Sequence, residues 1–145
     1  MRVCGVELKG NDANICLLSK SDGLFDLPDC RARRLSLSDI NSREKLQEFQ
    51  FTFAKLMADY RVDRVVIRQR PPKGKFAGGA IGFKMEAALQ LLSDIEVEIL
   101  SPHEAKEILS KNPVPIVFED TGLKAFQEVA FITAFASLSR PKTIW

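Results

Sequence analysis

Two carboxylates, one arginine and a run of cations are the residues of this chain best suited to chemistry. Glu7 lies in Gly5, Val6, Glu7, Leu8, Lys9, Gly10, where small neighbours allow a phosphate to come close. It also reads as an ordinary polar residue near a strand end, since charges avoid sheet interiors. Glu128 is the only ionisable side chain between Lys124 and Arg140, which asks either for a partner or for the exposed first turn of a helix, where the dipole favours an acid. Arg68 ends a β-branched run and is followed by Arg70, Lys73 and Lys75, with Phe76 among them and Gly74, Gly78 and Gly79 relieving crowding. No acid interrupts that loop. Such an arm suits phosphates, with one ring available to stack on a base; the plainer reading is a solvated loop that keeps a sheet edge soluble.

Placing these residues requires the elements that carry them. Residues 2–8 alternate as a first strand, Gly10 and Asn11 supply a turn, and residues 14–19 return as a second. Residues 24–37 read as a weaker third strand, broken by Pro28 and better suited to an edge. From residue 42 to 60 the apolar spacing becomes three and four, with Leu46, Phe49, Phe53, Leu56, Met57 and Tyr60 on one face and Asp39 or Ser42 as a cap, which predicts an amphipathic helix. Residues 64–67 follow as a buried parallel strand. Ile81, Met85, Ala88, Leu89 and Leu92 stripe a second helix, and residues 95–100 form a fifth strand. Ser101, Pro102 and Glu104 start a short helix ending near Ser110. A last helix is predicted over residues 121–138, apolar nearly all round from Val129 and therefore buried on more than one side.

The 145 residues make one domain, 1–145, and 46% hydrophobic content with 10 Phe excludes a disordered or disulfide-stapled chain. Net charge is +2, yet between Arg61 and Lys84 seven cations face Asp63 alone, so positive charge is concentrated in one segment. Cys4, Cys16 and Cys30 with the single His103 make no zinc spacing. Cys4 and Cys16 invite pairing across a hairpin, although reduced thiols in a cytosolic chain are the better fit. A carboxylate at Glu7 interrupts any secretory leader, and the longest apolar stretch is too short to span a membrane, so the expected location is cytoplasmic, with no membrane partner.

Three antiparallel strands followed by two parallel ones, with helices on both faces, make an α/β chain with a mixed five-stranded sheet that resembles the ribonuclease-H-like arrangement. Within it the resemblance narrows to resolvases of the RuvC type. Residues 5–10 look like their first-strand signature, with Glu7 where they carry an aspartate. Residues 65–69 followed by Gly79, Ala80, Ile81 and Gly82 look like their fourth strand, loop and small-residue helix; residues 100–106 look like the stretch carrying their proline and lysine; and Glu128, Val129, Ala130 match their last-helix region. The whole chain also resembles a small bacterial family of unknown function.

The resemblance implies a nucleic-acid-binding domain, DNA or RNA, with Glu7 and Glu128 as catalytic and metal residues and Mg2+ or Mn2+ as the candidate cofactor, because two cations clamp the attacking and leaving oxygens in such nucleases. It implies contacts to nucleic acid from Lys9, Arg68, Arg70, Lys73, Lys75, Phe76 and Lys106. The departures are equally specific. Arg68 stands where the resolvases have a glutamate, and one turn beyond Glu128 stands Phe131 rather than a second acid. The expectation is therefore a resolvase-like domain with a degenerate metal site and weak or absent nuclease activity, in which Glu7, Arg68 and Glu128 converge. A structural or protein-interaction module that homodimerises on the same fold is the alternative, and an active metal-dependent nuclease the third reading.

Overall fold

A computed structural model of the chain describes residues 1–71 and 79–140. The sheet begins with a hairpin. Strand β1 (Arg2–Lys9) and strand β2 (Asp12–Ser21) pair antiparallel around Gly10, whose φ of 59° is left-handed and suits a residue without a Cβ. Residues 24–37 are two short strands rather than one. Strand β3 (Leu24–Asp26) pairs with one end of β2 and strand β4 (Arg34–Ser36) with the other. Pro28 lies in the break, where the missing amide hydrogen forfeits a ladder bond.

Helix α1 (Arg43–Asp59) starts at Ser42, whose hydroxyl accepts a hydrogen bond from the Lys45 amide at 3.1 Å; Asp39 instead accepts from Asn41. Strand β5 (Arg64–Arg68) then lies parallel to β1, and strand β6 (Glu96–Leu100) parallel to β5. Helix α2 (Ala80–Gln90) connects them. The backbone order is β3-β2-β1-β5-β6, with β4 beside β2, so the mixed sheet has six strands in place of the expected five.

Helices cover both faces. On one, α1 and α2 bury Phe49, Phe53, Leu56, Met85 and Leu89 against Cys4, Val6, Ile15, Val65 and Ile67. On the other, helix α3 (Pro102–Lys111) and helix α4 (Glu128–Ser139) bury Ala105, Ile108, Ala130, Phe131, Ala134 and Phe135 against Val3, Cys16, Leu18 and Val66. Full burial of each Val, Leu, Ile, Phe or Met side chain among them stabilises by roughly 1.5–3 kcal/mol relative to exposure. Ser101 caps α3 by accepting from the Glu104 amide at 3.0 Å, with Pro102 in the first turn, as its sequence predicts.

Two expectations change. Helix α4 starts at Glu128, not near residue 121, because Gly122 takes a φ of 79° and separates two 3-10 turns, Phe118–Thr121 and Ala125–Gln127. Cys4 and Cys16 do not face each other either. Cys4 is opposite Leu17, and Cys16 opposite Gly5, so period-two alternation puts the thiols on opposite faces. All three cysteines are free.

Candidate nucleic-acid site at the ends of β1 and β5

Alternation along β1 aims Val3, Gly5 and Glu7 at α4. The approach is closest at Gly5, where a Cβ would stand 2.0 Å from the Ala130 carbonyl oxygen and 2.9 Å from the Ala134 nitrogen. The helix therefore sits almost on the strand, which only glycine allows. Arg64, Val66 and Arg68 of β5 face the same helix: Arg64 reaches Ser137, and Arg68 donates from Nε to the Thr133 hydroxyl at 3.2 Å. One step beyond the Val6 and Ile67 pair, Glu7 and Arg68 are neighbours at the carboxyl ends of their strands.

Around them lies a row of polar side chains crossing four strands. Asn14, opposite Glu7 in register, is buried and donates from Nδ2 to Glu7 Oε1 at 3.4 Å. Arg34, opposite Asn14, donates from Nε to Asn14 Oδ1 at 3.0 Å. At the other end the Thr133 hydroxyl donates to the Val129 carbonyl at 2.7 Å while accepting from Arg68. Arg68 is half-buried, and desolvation draws its guanidinium below the usual arginine range while the Glu7 carboxylate opposes that shift. A charged form held partly out of water is favoured by an opposite charge at its side.

This donor set does not suit a divalent cation. A unit positive charge about 4 Å from a metal's position opposes each unit of the metal's charge by roughly 4 kcal/mol even at an effective dielectric near 20. Helix α4 presents to the Glu7 and Arg68 pair a hydroxyl, Thr133, and not a carboxylate. Among the described residues no group of three or more His, Cys, Asp or Glu side chains comes together as ligands. Glu128 is the exposed first residue of α4, and no side-chain hydrogen bond or ion pair among the described residues involves it.

The remaining expected contacts divide. Lys9 is exposed where β1 ends, and Lys106 is exposed on α3, which begins directly after Leu100, the register partner of Arg68. Arg70 does not extend outward as an arm. Its guanidinium lies over the Phe83 ring, 4.5 Å from the centroid, in the space a Cβ on Gly82 would fill, and it donates to the Gly79 carbonyl at 3.4 Å. It braces the start of α2. Lys73, Lys75 and Phe76 lie outside the described residues. A hollow of about 850 Å³ lies at the opposite end of the sheet, where Arg140 pairs with Glu98 and Arg64 with Glu96.

Periodicity and motif spacing do not single out Asn14, Arg34, Phe126 or Thr133. Asn14 was nonetheless within reach of the sequence: closing a two-residue turn at Gly10 and Asn11 pairs Lys9 with Asp12 and thus Glu7 with Asn14.

The fold, a mixed sheet with helices on both faces, is similar to that of RuvC-type resolvases, the ribonuclease-H-like fold. Thermus thermophilus RuvC superposes with a TM-score of 0.72 at 10% identity, covering 96% of this chain and 94% of that one. The same protein in complex with a Holliday junction substrate gives 0.65 at 10% identity, covering 96% and 93%. Fowlpox virus resolvase, in complex with Holliday junction DNA, gives 0.53 at 10% identity, covering 95% and 97%. The chain itself belongs to the family described as protein of unknown function, DUF3010, whose model matches residues 1–137. No curated protein matches the sequence.

Proposed function

We propose that this chain is a cytoplasmic nucleic-acid-binding domain of resolvase-like fold in which the Glu7 and Arg68 pair stands in place of a metal site, so that it holds DNA or RNA without efficient hydrolysis. The observation that carries this reading is Arg68 at the end of β5, the strand next to that of Glu7, with its guanidinium held by Thr133. A fixed cation there attracts a phosphate directly, whereas a metal-bridged phosphate would need the carboxylate that Arg68 replaces. Two similar structures hold Holliday junction DNA on this fold, which supports nucleic acid as the ligand class. Lys9, Arg68, Lys106, Lys73 and Lys75 are the proposed phosphate contacts, and Phe76 the proposed stacking ring.

The test is titration of labelled single-stranded, duplex and four-way-junction DNA between 50 and 200 mM salt. Five such contacts give a log-log slope of about −0.9 × 5, or roughly 500-fold weaker binding across that range. Removing Lys73 and Lys75 together flattens the slope by roughly two units. With magnesium or manganese the protein leaves these substrates intact beyond background, and Arg68→Glu strengthens binding of either ion measured by calorimetry. Cleavage by the unmodified protein that disappears in Glu7→Gln overturns this reading in favour of an active nuclease. Failure to bind any of the three DNAs at 50 mM salt, together with a stable dimer, overturns it in favour of a protein-interaction module.

A further inference from the structure

Arg34 is an exposed cation held in one orientation with its terminal amino groups left over, whereas Arg31, also placed over a ring, spends its guanidinium on Asp59. The Arg34 guanidinium lies over the Phe126 ring, with Cζ 3.9 Å from the centroid, while Nε is taken by Asn14 at 3.0 Å and stands 3.7 Å from Asp12. Asp12 is itself occupied by the Ser36 hydroxyl. Among the described residues no acceptor meets the two terminal amino groups of Arg34, and 43% of its side chain remains exposed.

Both halves of the stack hang from a single residue of β2. The Ile15 amide donates to the carbonyl of Arg33 at 3.0 Å, and the Ile15 carbonyl accepts from Nε2 of the buried Gln127 at 2.9 Å. Gln127 also accepts from the Lys124 amide at 2.9 Å, which folds the 3-10 turn that carries Phe126. An ordinary surface arginine loses rotamer freedom when it grips a ligand. Here that cost is already met in the fold, and the planar fork with two free amino groups is the geometry that binds phosphate bidentately.

Arg34, Asn14, Glu7 and Arg68 are register neighbours on β4, β2, β1 and β5, so Arg34 lies three strand spacings, about 14 Å, from Arg68. We infer that Arg34 is a second phosphate-binding residue of this site, prearranged on Phe126 to grip the backbone of a nucleic-acid strand that runs along the row from Arg68. The inference rests on the nucleic-acid reading above. Glu7 in the middle of the row is answered by Arg68 and by the Asn14 amide, so the carboxylate does not repel a strand held at both ends.

The experiment compares fluorescence anisotropy of the same labelled DNAs for the unmodified chain, Arg34→Gln, Arg34→Lys and Phe126→Leu, with thermal unfolding by circular dichroism on each. Loss of one phosphate contact makes Arg34→Gln shallower by about 0.9 in log-log slope, so the ratio of unmodified to variant affinity shrinks by about 3.5-fold between 50 and 200 mM salt. Arg34→Lys and Phe126→Leu keep the slope and bind more weakly, because charge is retained while the flat, prearranged fork is lost. Unchanged slope and affinity in Arg34→Gln, with the unmodified chain binding, overturns the role of Arg34 and leaves the nucleic-acid reading standing. Equal loss of slope in Arg34→Gln and Arg34→Lys marks disturbed packing and also overturns it. No binding by the unmodified chain at 50 mM salt overturns both.

Discussion

A half-buried arginine beside a carboxylate does two things that can be measured apart. It sets the charge offered to a ligand, and it ties β5 to α4 through Thr133 while its field reaches the Glu7 carboxylate on the neighbouring strand. Because both groups keep some contact with water, their attraction is screened, and the pair is worth less than a fully buried one, which breaks at a cost of 3–5 kcal/mol. A double-mutant cycle with Glu7→Gln and Arg68→Gln is expected to return a coupling of about 1 kcal/mol by urea denaturation, favourable to the pair. A coupling within about 0.3 kcal/mol of zero would show that the two side chains do not sense each other. The same cycle scored by DNA affinity should behave differently, since Arg68→Gln removes a phosphate contact whereas Glu7→Gln removes none.

At the scale of elements, the seating of α4 on β1 decides where the site residues stand. A Cβ at Gly5 would enter the backbone of α4 and not a flexible side chain, so Gly5→Ala must lift the helix. That separates Thr133 from Arg68 and loosens Phe131 and Phe135, and overpacking of this kind costs 1–3 kcal/mol or more. The expected result is a urea midpoint lowered by the equivalent of about 3 kcal/mol; an unchanged midpoint would mean that the helix does not rest on this strand. Element order, the parallel pairing of β5 with β1 and β6, and the Ser42 and Ser101 caps were legible because hydrophobic period and cap chemistry are local signals. The split of residues 24–37 was not, because β2 is long enough for β3 and β4 to pair beside its two ends, and nothing within the short strands announces which end. The start of α4 was missed for a related reason: apolar residues before Glu128 fit a 3-10 turn as well as an α-helix, and only the φ of Gly122 separates them. Of the site, the Glu7 and Arg68 neighbours followed from strand order alone, whereas Arg34 and Phe126 required the register of an edge strand and a 3-10 turn.

For the molecule as a whole, the sheet has a buried thiol on each face, and both resist ionisation. Cys4 is fully enclosed, and burial raises its thiol well above the ordinary value; burial pushes Cys16 from 9.0 up to about 12. A folded-state pKa above the unfolded one means that the folded chain keeps a proton the unfolded chain releases. Stability from this source is therefore complete below pH 9 and falls as the pH rises from 9.0 towards about 12. The Cys16 thiol contributes a slope of about 1.4 kcal/mol per pH unit across that window. Urea midpoints should be level between pH 6 and 8 and decline above pH 9, and Cys16→Ala, though less stable at pH 7 for its lost packing, should decline less steeply. Native-state alkylation at pH 8 should label the half-buried Cys30 first, since the other two expose neither sulfur nor thiolate. Parallel alkaline declines for the unmodified chain and Cys16→Ala would mean that the Cys16 thiolate is tolerated where α4 meets the sheet, and that this face of the core admits water.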